Sequence, residues 1–238
     1  MLFIGLSVFV SAHAQEPRVD TVAVMILDRM ASVIGDLNSC SFTLKTSVDV
    51  NDPDYGLIKK IETDEVYILG PDKMHILLDG EKGRRGFWYN GQSAIIYYFG
   101  ENNYAVIDAP EGIIAMIDSI HENYGFEFPA ADFFYPTFTD DMLNFFDDIM
   151  FLGSRELNGR DCLLILARNE DMSAQIWFSA DAFTLPQKFV IVYKNDGNRQ
   201  YEADFSNWQM NPDLPPASFD FLPPPGAHQV DILPQTNK

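Results

Sequence analysis

Basic residues are scarce in this chain. Its 238 residues carry 16 Lys and Arg against 35 Asp and Glu, a formal charge of −19. Binding nucleic acid needs a cationic footprint that displaces counterions from phosphate, and docking on anionic lipid needs the same sign. The charge balance argues against both partner classes. A protein partner is expected to present a basic face, because like charges would repel it. Cysteine is nearly absent too: Cys40 and Cys162 are the only two. In an oxidising compartment they admit either one disulfide or two separate buried thiols, and the sequence leaves both readings open. There is no G-x-S-x-G elbow, P-loop, G-x-G-x-x-G fingerprint or H-E-x-x-H pair. His75, His121 and His228 lie far apart, so each reads as a surface or structural residue. No catalytic residue, no cofactor and no metal site is expected. Beyond Val10 no stretch is long and charge-free enough to supply the roughly 20 residues of a membrane span.

Apolar mass is abundant. The chain is 47% hydrophobic, with 19 Phe, 10 Tyr and 3 Trp, which is incompatible with a disordered chain and sufficient for a sizeable core. Leu2 to Val10 is an uncharged apolar run followed by Ala12-His13-Ala14. Small residues at that spacing suit a signal peptidase, so residues 1–14 are expected to be an export signal cleaved after Ala14. No Lys or Arg precedes the run, and no Cys near the cleavage point supports a lipid anchor. Residues 15–238 then form a single domain, since no linker divides them.

Periodicity supplies the architecture. Val22, Met25, Ile26, Arg29, Met30, Val33 and Leu37 recur at helical spacing between Pro17 and Leu37. From Cys40 to Val50 the period becomes two: Cys40, Phe42, Leu44, Thr46, Val48 and Val50 form one face of a strand. Strand-like runs follow at 57–69, 73–78, 84–89, 92–99 and 102–107, separated by turn residues. Asn90-Gly91 among these turns predicts a type I′ hairpin. A helix over Ile113–Tyr124 presents Ile113, Met116, Ile117, Ile120 and Tyr124. A second over Thr139–Ile149, capped by Thr139, presents Met142, Phe145, Phe146 and Ile149. The intervening segment from Phe126 to Pro136 is rich in aromatics. Strands resume at 150–156, 160–167, 174–179, 185–193 and 201–210, before a proline-rich end. Arg84-Arg85 on an alternating strand sends one guanidinium to each face, where a salt bridge competes with a ligand headgroup as its role. Asp147-Asp148 reads as a solvated acidic face, because no D-x-D-x-D-G loop accompanies it. The reading is mainly β with α: a long antiparallel sheet, curled and crossed by helices, whose interior is either filled or a cavity.

Five stretches carry a family resemblance. They are Ala130-Ala131-Asp132-Phe133-Phe134-Tyr135, Arg160-Asp161-Cys162, Gln175-Ile176-Trp177-Phe178, Leu185-Pro186-Gln187-Lys188, and the run from Phe219 through Pro223-Pro224-Pro225 to Ala227. In this order they resemble the bacterial predicted periplasmic proteins of domain of unknown function 2092. That family is similar in fold to the lipoprotein-carrier superfamily of LolA, LolB and LppX. The resemblance implies an open antiparallel half-barrel with an N-terminal helix and a helical lid, located in the periplasm. It implies no enzyme activity. The expected function is to bind or carry a hydrophobic ligand (a lipid, an acyl chain or a lipoprotein) between sheet and lid. The alternative is a regulatory or sensory module that binds a partner protein. The expected cavity is lined by Phe42, Leu44, Phe87 and Tyr89 of the first strands, and by Ile113, Met116, Ile117 and Ile120 of the first lid helix. Met142 and Phe145 of the second lid helix and Trp177, Phe189 and Ile191 of the later strands complete it.

Overall fold

The first helix shows how local sequence starts the fold. In a computed structural model, which describes residues 18–235, α1 spans Thr21–Gly35 and is capped by Asp20, whose carboxylate accepts from the Val22 amide. Its buried stripe is Ala23, Ile26, Leu27, Met30 and Ile34, whereas Val22 and Met25 are exposed. The helix is therefore rotated relative to the face read from the sequence. Ala23 and Leu27 extend the Ile26–Met30 row on the other flank and bury completely, which Met25 could do only by unburying them. The expected export signal lies outside the described residues.

Twelve strands follow in one open sheet: β1 Ser39–Asp52, β2 Gly56–Leu69, β3 Lys73–Gly80, β4 Arg85–Tyr89, β5 Ser93–Tyr98, β6 Asn103–Asp108, β7 Asp148–Leu157, β8 Arg160–Arg168, β9 Met172–Ser179, β10 Pro186–Tyr193, β11 Arg199–Met210 and β12 His228–Gln229. Their spatial order is β12-β6-β5-β4-β3-β2-β1-β11-β10-β9-β8-β7. Every pairing is antiparallel except the short β12–β6 contact. The long β1–β2 hairpin and β11 form the centre. The chain makes one meander on each side of it, and the two are joined through α2 (Ile113–Tyr124) and α3 (Phe138–Phe145).

Alternation divides the sheet into two faces. One face carries Cys40, Phe42 and Leu44 of β1 beside Val66 and Ile68 of β2, Phe87 and Tyr89 of β4, Ile165 of β8, Ile176 of β9, Phe189 of β10 and Phe205 of β11. These residues and the buried faces of α1, α2 and α3 form one apolar cluster. On the opposite face Lys59, Asp49, Glu202, Lys188 and Asp204 stitch β2, β1, β11 and β10 through ion pairs of 3.0–3.1 Å. There too, the proline-rich end returns across the first meander. Phe221 packs on Trp88, Tyr97 and Tyr104, and His75 stacks between Tyr67 and Trp88. Trp88 lies flat over Gly86, where a Cβ would collide with the indole. Burial drives the His75 imidazole down to about 4, so it is neutral and structural.

Three local expectations are corrected. Asn90 does not take a positive φ; Gly91 alone does, at 96°, while the Asn90 side chain accepts from Gln92 and Ser93. The side-chain turn replaces the type I′ geometry. Thr137, not Thr139, precedes the first turn of α3, and β7 takes over at Asp148, so Phe146 and Ile149 are buried outside that helix. Asp148 is no solvated acid. It is 8% exposed, binds Arg168 at 2.6 Å and accepts from the Arg18 amide at 3.0 Å.

Candidate functional site

The candidate site is the covered face of the sheet. Of the thirteen expected cavity residues, Phe42, Leu44, Phe87, Tyr89, Met116, Ile117, Ile120, Met142 and Phe189 are buried in the one apolar cluster. Ile113 and Ile191 pack against its margin. Two do not belong. Phe145 is 54% exposed at the end of α3, because that helix stops before a turn could carry the ring back to the sheet. Trp177 lies on the outer face opposite Leu164, since Ile176 and Phe178 occupy the inward phase of β9. Cys40 and Cys162 are both free and buried. They cannot pair in this fold. Cys40 points inward with Phe42, Cys162 is out of phase with inward Ile165, and three strands separate β1 from β8. Burial pushes the Cys40 thiol up to about 12 and holds it unreactive.

What fills the covered face is the segment between α2 and α3. It begins at Gly125, left-handed at φ 67°, and passes through Ala130, a non-glycine residue at φ 64°. From there it sends aromatic rings onto the sheet. Phe128 meets Phe87 edge-on at 5.2 Å between centroids, Phe134 stacks on Phe42 at 5.9 Å, and Phe133 contacts Phe189 at 5.5 Å and Phe205 at 5.7 Å. Its backbone is bonded differently from a strand. Ala131 donates to Phe128, Phe133 to Ala130, Tyr135 to Asp132 and Phe138 to Tyr135, all within the segment. Among the described residues no backbone hydrogen bond joins 126–137 to the sheet. The ties to α2 run through side chains: the Tyr135 hydroxyl donates to Asp118 at 2.6 Å, and His121 lies 3.2 Å from the Phe126 carbonyl and 3.6 Å from the Glu127 carboxylate. The connector is thus an aromatic plug held by apolar contact.

Polar groups sit on the same covered face, at one end of the plug. Asp64 of β2 is in phase with Val66 and Ile68 and is 2% exposed. Burial pushes its carboxyl up to about 7, and the neighbouring Glu62 adds to the rise while Arg85 opposes it. Glu62 is paired with Arg85 of β4. Arg84 points to the other side, its guanidinium 5.0 Å above the Phe99 ring. The twin arginines therefore split between faces, with the inward one in a salt bridge. Sequence reading missed Glu62, Asp64 and the plug as site residues. The available signal was phase: Glu62 and Asp64 continue the Val66–Ile68 row, where an alternating strand should be apolar.

No group of three or more His, Cys, Asp or Glu side chains comes together as a metal site among the described residues. Nor is any helix among them long and apolar enough to cross a membrane.

Solved structures are similar to this one at low identity. The lipoprotein LppX of Mycobacterium tuberculosis aligns over 79% of this chain and 96% of its own, at 11% identity and TM-score 0.50. MucB of Pseudomonas aeruginosa, in complex with MucA, aligns over 84% of this chain and 61% of its own, at 11% identity and TM-score 0.46. A LolA superfamily protein of Nitrosomonas europaea aligns over 84% and 97%, at 9% identity and TM-score 0.35. The similarity to LppX is one of fold. No curated protein matches the chain. The model of the predicted periplasmic proteins termed DUF2092 matches residues 23–233, nearly all of the sheet, helices and tail just described. The chain belongs to the DUF2092 family of predicted periplasmic proteins.

Proposed function

We propose that this protein is a non-enzymatic periplasmic carrier of a hydrophobic ligand, whose hydrocarbon occupies the space now filled by the aromatic plug. The observation that carries this reading is the contrast in how the covered face is closed. Phe128, Phe133 and Phe134 are packed against the sheet, yet their backbone is bonded only to itself. Displacing them breaks no strand pairing, and an alkyl chain restores the apolar contact that the rings give up. Ala130 in the left-handed region stores strain at the middle of the plug, a feature that gathers at ligand clamps and switch segments. Phe42, Leu44, Phe87, Phe189 and the α2 residues Met116 and Ile120 are the walls such a ligand would meet.

Native mass spectrometry of protein taken from the periplasm, followed by organic extraction, tests the proposal. The expected result is a co-purifying lipid or acyl chain, lost on delipidation with the fold intact. Protein that carries no lipid and takes up no alkyl probe overturns it. A stable complex with a basic-faced partner protein in place of any lipid favours the regulatory alternative.

A further inference from the structure

The plug covers more than hydrocarbon. Asp64 Oδ1, Arg85 Nε and the Tyr201 hydroxyl are buried without a hydrogen-bond partner. Tyr201 belongs to β11, on the same face as Ala203 and Phe205, and its ring stacks on Phe189 at 5.5 Å. Burial acts most strongly on its hydroxyl and pushes its titration up, and the carboxylates of Asp64 and, after it, Glu62 and Asp132 add to that rise. Strands β2, β10 and β11 and the plug therefore meet around one polar spot inside an otherwise apolar face. Such a spot destabilises the closed state. A buried donor or acceptor left unpaired costs about 1–3 kcal/mol, and an unpaired charge costs more. The strand could have carried valine at 64 as it does at 66. A few convergent polar groups at the end of an apolar site are what orients an amphiphile.

The sign of the spot selects the headgroup. Glu62 is neutralised by Arg85, so Asp64 is left as an uncompensated carboxylate, with Asp132 adding negative field. From these groups we infer that the covered face holds an amphiphile by a primary ammonium headgroup, with Asp64 as counter-ion and the Tyr201 oxygen as a second acceptor. This deepens the carrier reading and rests on it. A protonated amine supplies donors to the two of these groups that can accept, Asp64 Oδ1 and the Tyr201 oxygen, with Arg85 held by its pairing to Glu62, whereas a carboxylate would face Asp64 and Glu62. Thr46 lies between Asp64 and Tyr201 on β1, next to Glu62 in the β1–β2 register, and narrows the spot without adding charge.

The test uses three amphiphiles of equal chain length, dodecylamine, dodecanol and dodecanoate. Each competes at pH 8 with the neutral fluorophore N-phenyl-1-naphthylamine on the intact protein. The expected order is amine over alcohol over carboxylate, with the amine at least about tenfold tighter than the alcohol, the ratio that one charge-assisted hydrogen bond supplies. Asp64→Asn should bring amine and alcohol within about twofold of one another through loss of amine affinity. Tyr201→Phe should reduce the amine preference by a smaller factor. Equal binding of all three by the wild-type protein, or a preference for the carboxylate, overturns the inference and leaves the carrier reading standing. If neither the fluorophore nor any competitor binds, the carrier reading falls and the inference falls with it. The wild-type ranking decides the matter even if a variant fails to fold.

Discussion

The central strands and the aromatic plug bury phenylalanine against the same apolar cluster, but different forces hold them there. In β1 the residues Phe42 and Leu44 are fixed by a continuous ladder to β2, and Leu44 is paired with Phe205 of β11 beyond a bulge that falls at Phe42. Removing either from the core means breaking a sheet. In the plug, Phe133 is as deeply buried, at 4% exposure against 5% for Phe42, but its amide bonds only to Ala130. Burial alone does not tell which part of a core can move. The destination of the backbone hydrogen bonds does, because local stability follows the ladder that must open.

That contrast predicts unequal effects of the same chemical insult. Ile165, fully buried on β8, has no route to water short of unfolding. Ile165→Asp should cost more than about 5 kcal/mol, enough to abolish a cooperative transition in a domain of ordinary stability. Phe133→Asp can escape by lifting the plug. Its cost is bounded by the docking energy of that segment, about 3–5 kcal/mol on the scale of a deleted buried phenylalanine. Far-UV circular dichroism and urea titration of the two variants check this. Equal loss of structure in both would erase the distinction between sheet and plug.

The next largest effect is a pH dependence. Asp64 is held up to about 7 from an ordinary 3.8 by burial. Between those values the native state retains a proton that the unfolded chain has released. The Asp64 contribution to stability should therefore fall as pH rises from about 4 to about 7, by on the order of 1 kcal/mol per pH unit, while that of His75, held down to about 4 from an ordinary 6.5, rises by a similar amount between about 4 and 6.5 and offsets it. Asp49, Asp148 and Glu202 are shifted the other way, each chiefly by a hydrogen bond from Lys59 or Arg168. Their contribution is present above the ordinary carboxylate range and is lost only below it, outside the Asp64 window. Denaturation from pH 4 to pH 8 should show stability rising with pH in Asp64→Asn, where the His75 contribution stands alone, and that rise largely cancelled in wild type. Phe133→Asp should move toward the Asp64→Asn profile, because lifting the plug rehydrates Asp64. An unchanged slope in Asp64→Asn would remove that residue as the source.

The smallest effect concerns the thiols. Cys40 and Cys162 belong to strands, not to the plug, so Phe133→Asp should not speed their labelling. Unfolded, unreduced protein should titrate as two free thiols, and native protein should react only as fast as the sheet opens. A disulfide recovered from non-reduced digests would contradict the strand phases that place the two residues on opposite faces.

These particulars also show what could be read from the chain. Strands were legible because alternation records which face is apolar, and the boundaries of β2, β3 and β8 lie within two residues of those read from period two. The helix at 113–124 was legible for the same reason at period 3.6. The rotation of α1 was not, since Val22 and Met25 are as apolar as the residues that bury and only tertiary packing chooses between them. Trp177 lies on the outer face because Ile176 and Phe178 hold the inward phase of β9, and a strand with apolar residues in both phases does not declare which of them is inward. Phe145 was misplaced because the end of α3 is set by where β7 begins. The plug escaped notice as a site element because an irregular segment has no period. Its aromatics announce burial but not against what. Asp64 was legible in principle, as a charge in an apolar row, and Tyr201 was not, because a tyrosine there is ordinary until the partners of its hydroxyl are known.

The account stands or falls on whether a hydrophobic ligand displaces the plug. Hydrogen exchange read by mass spectrometry, with and without saturating N-phenyl-1-naphthylamine, measures this directly. The predicted result is faster exchange by about tenfold or more in peptides covering 126–136, with β1 and β11 unchanged, as expected when one segment opens and the ladders do not. Bound probe with the plug unchanged or slowed would place the ligand elsewhere on the molecule and contradict the account.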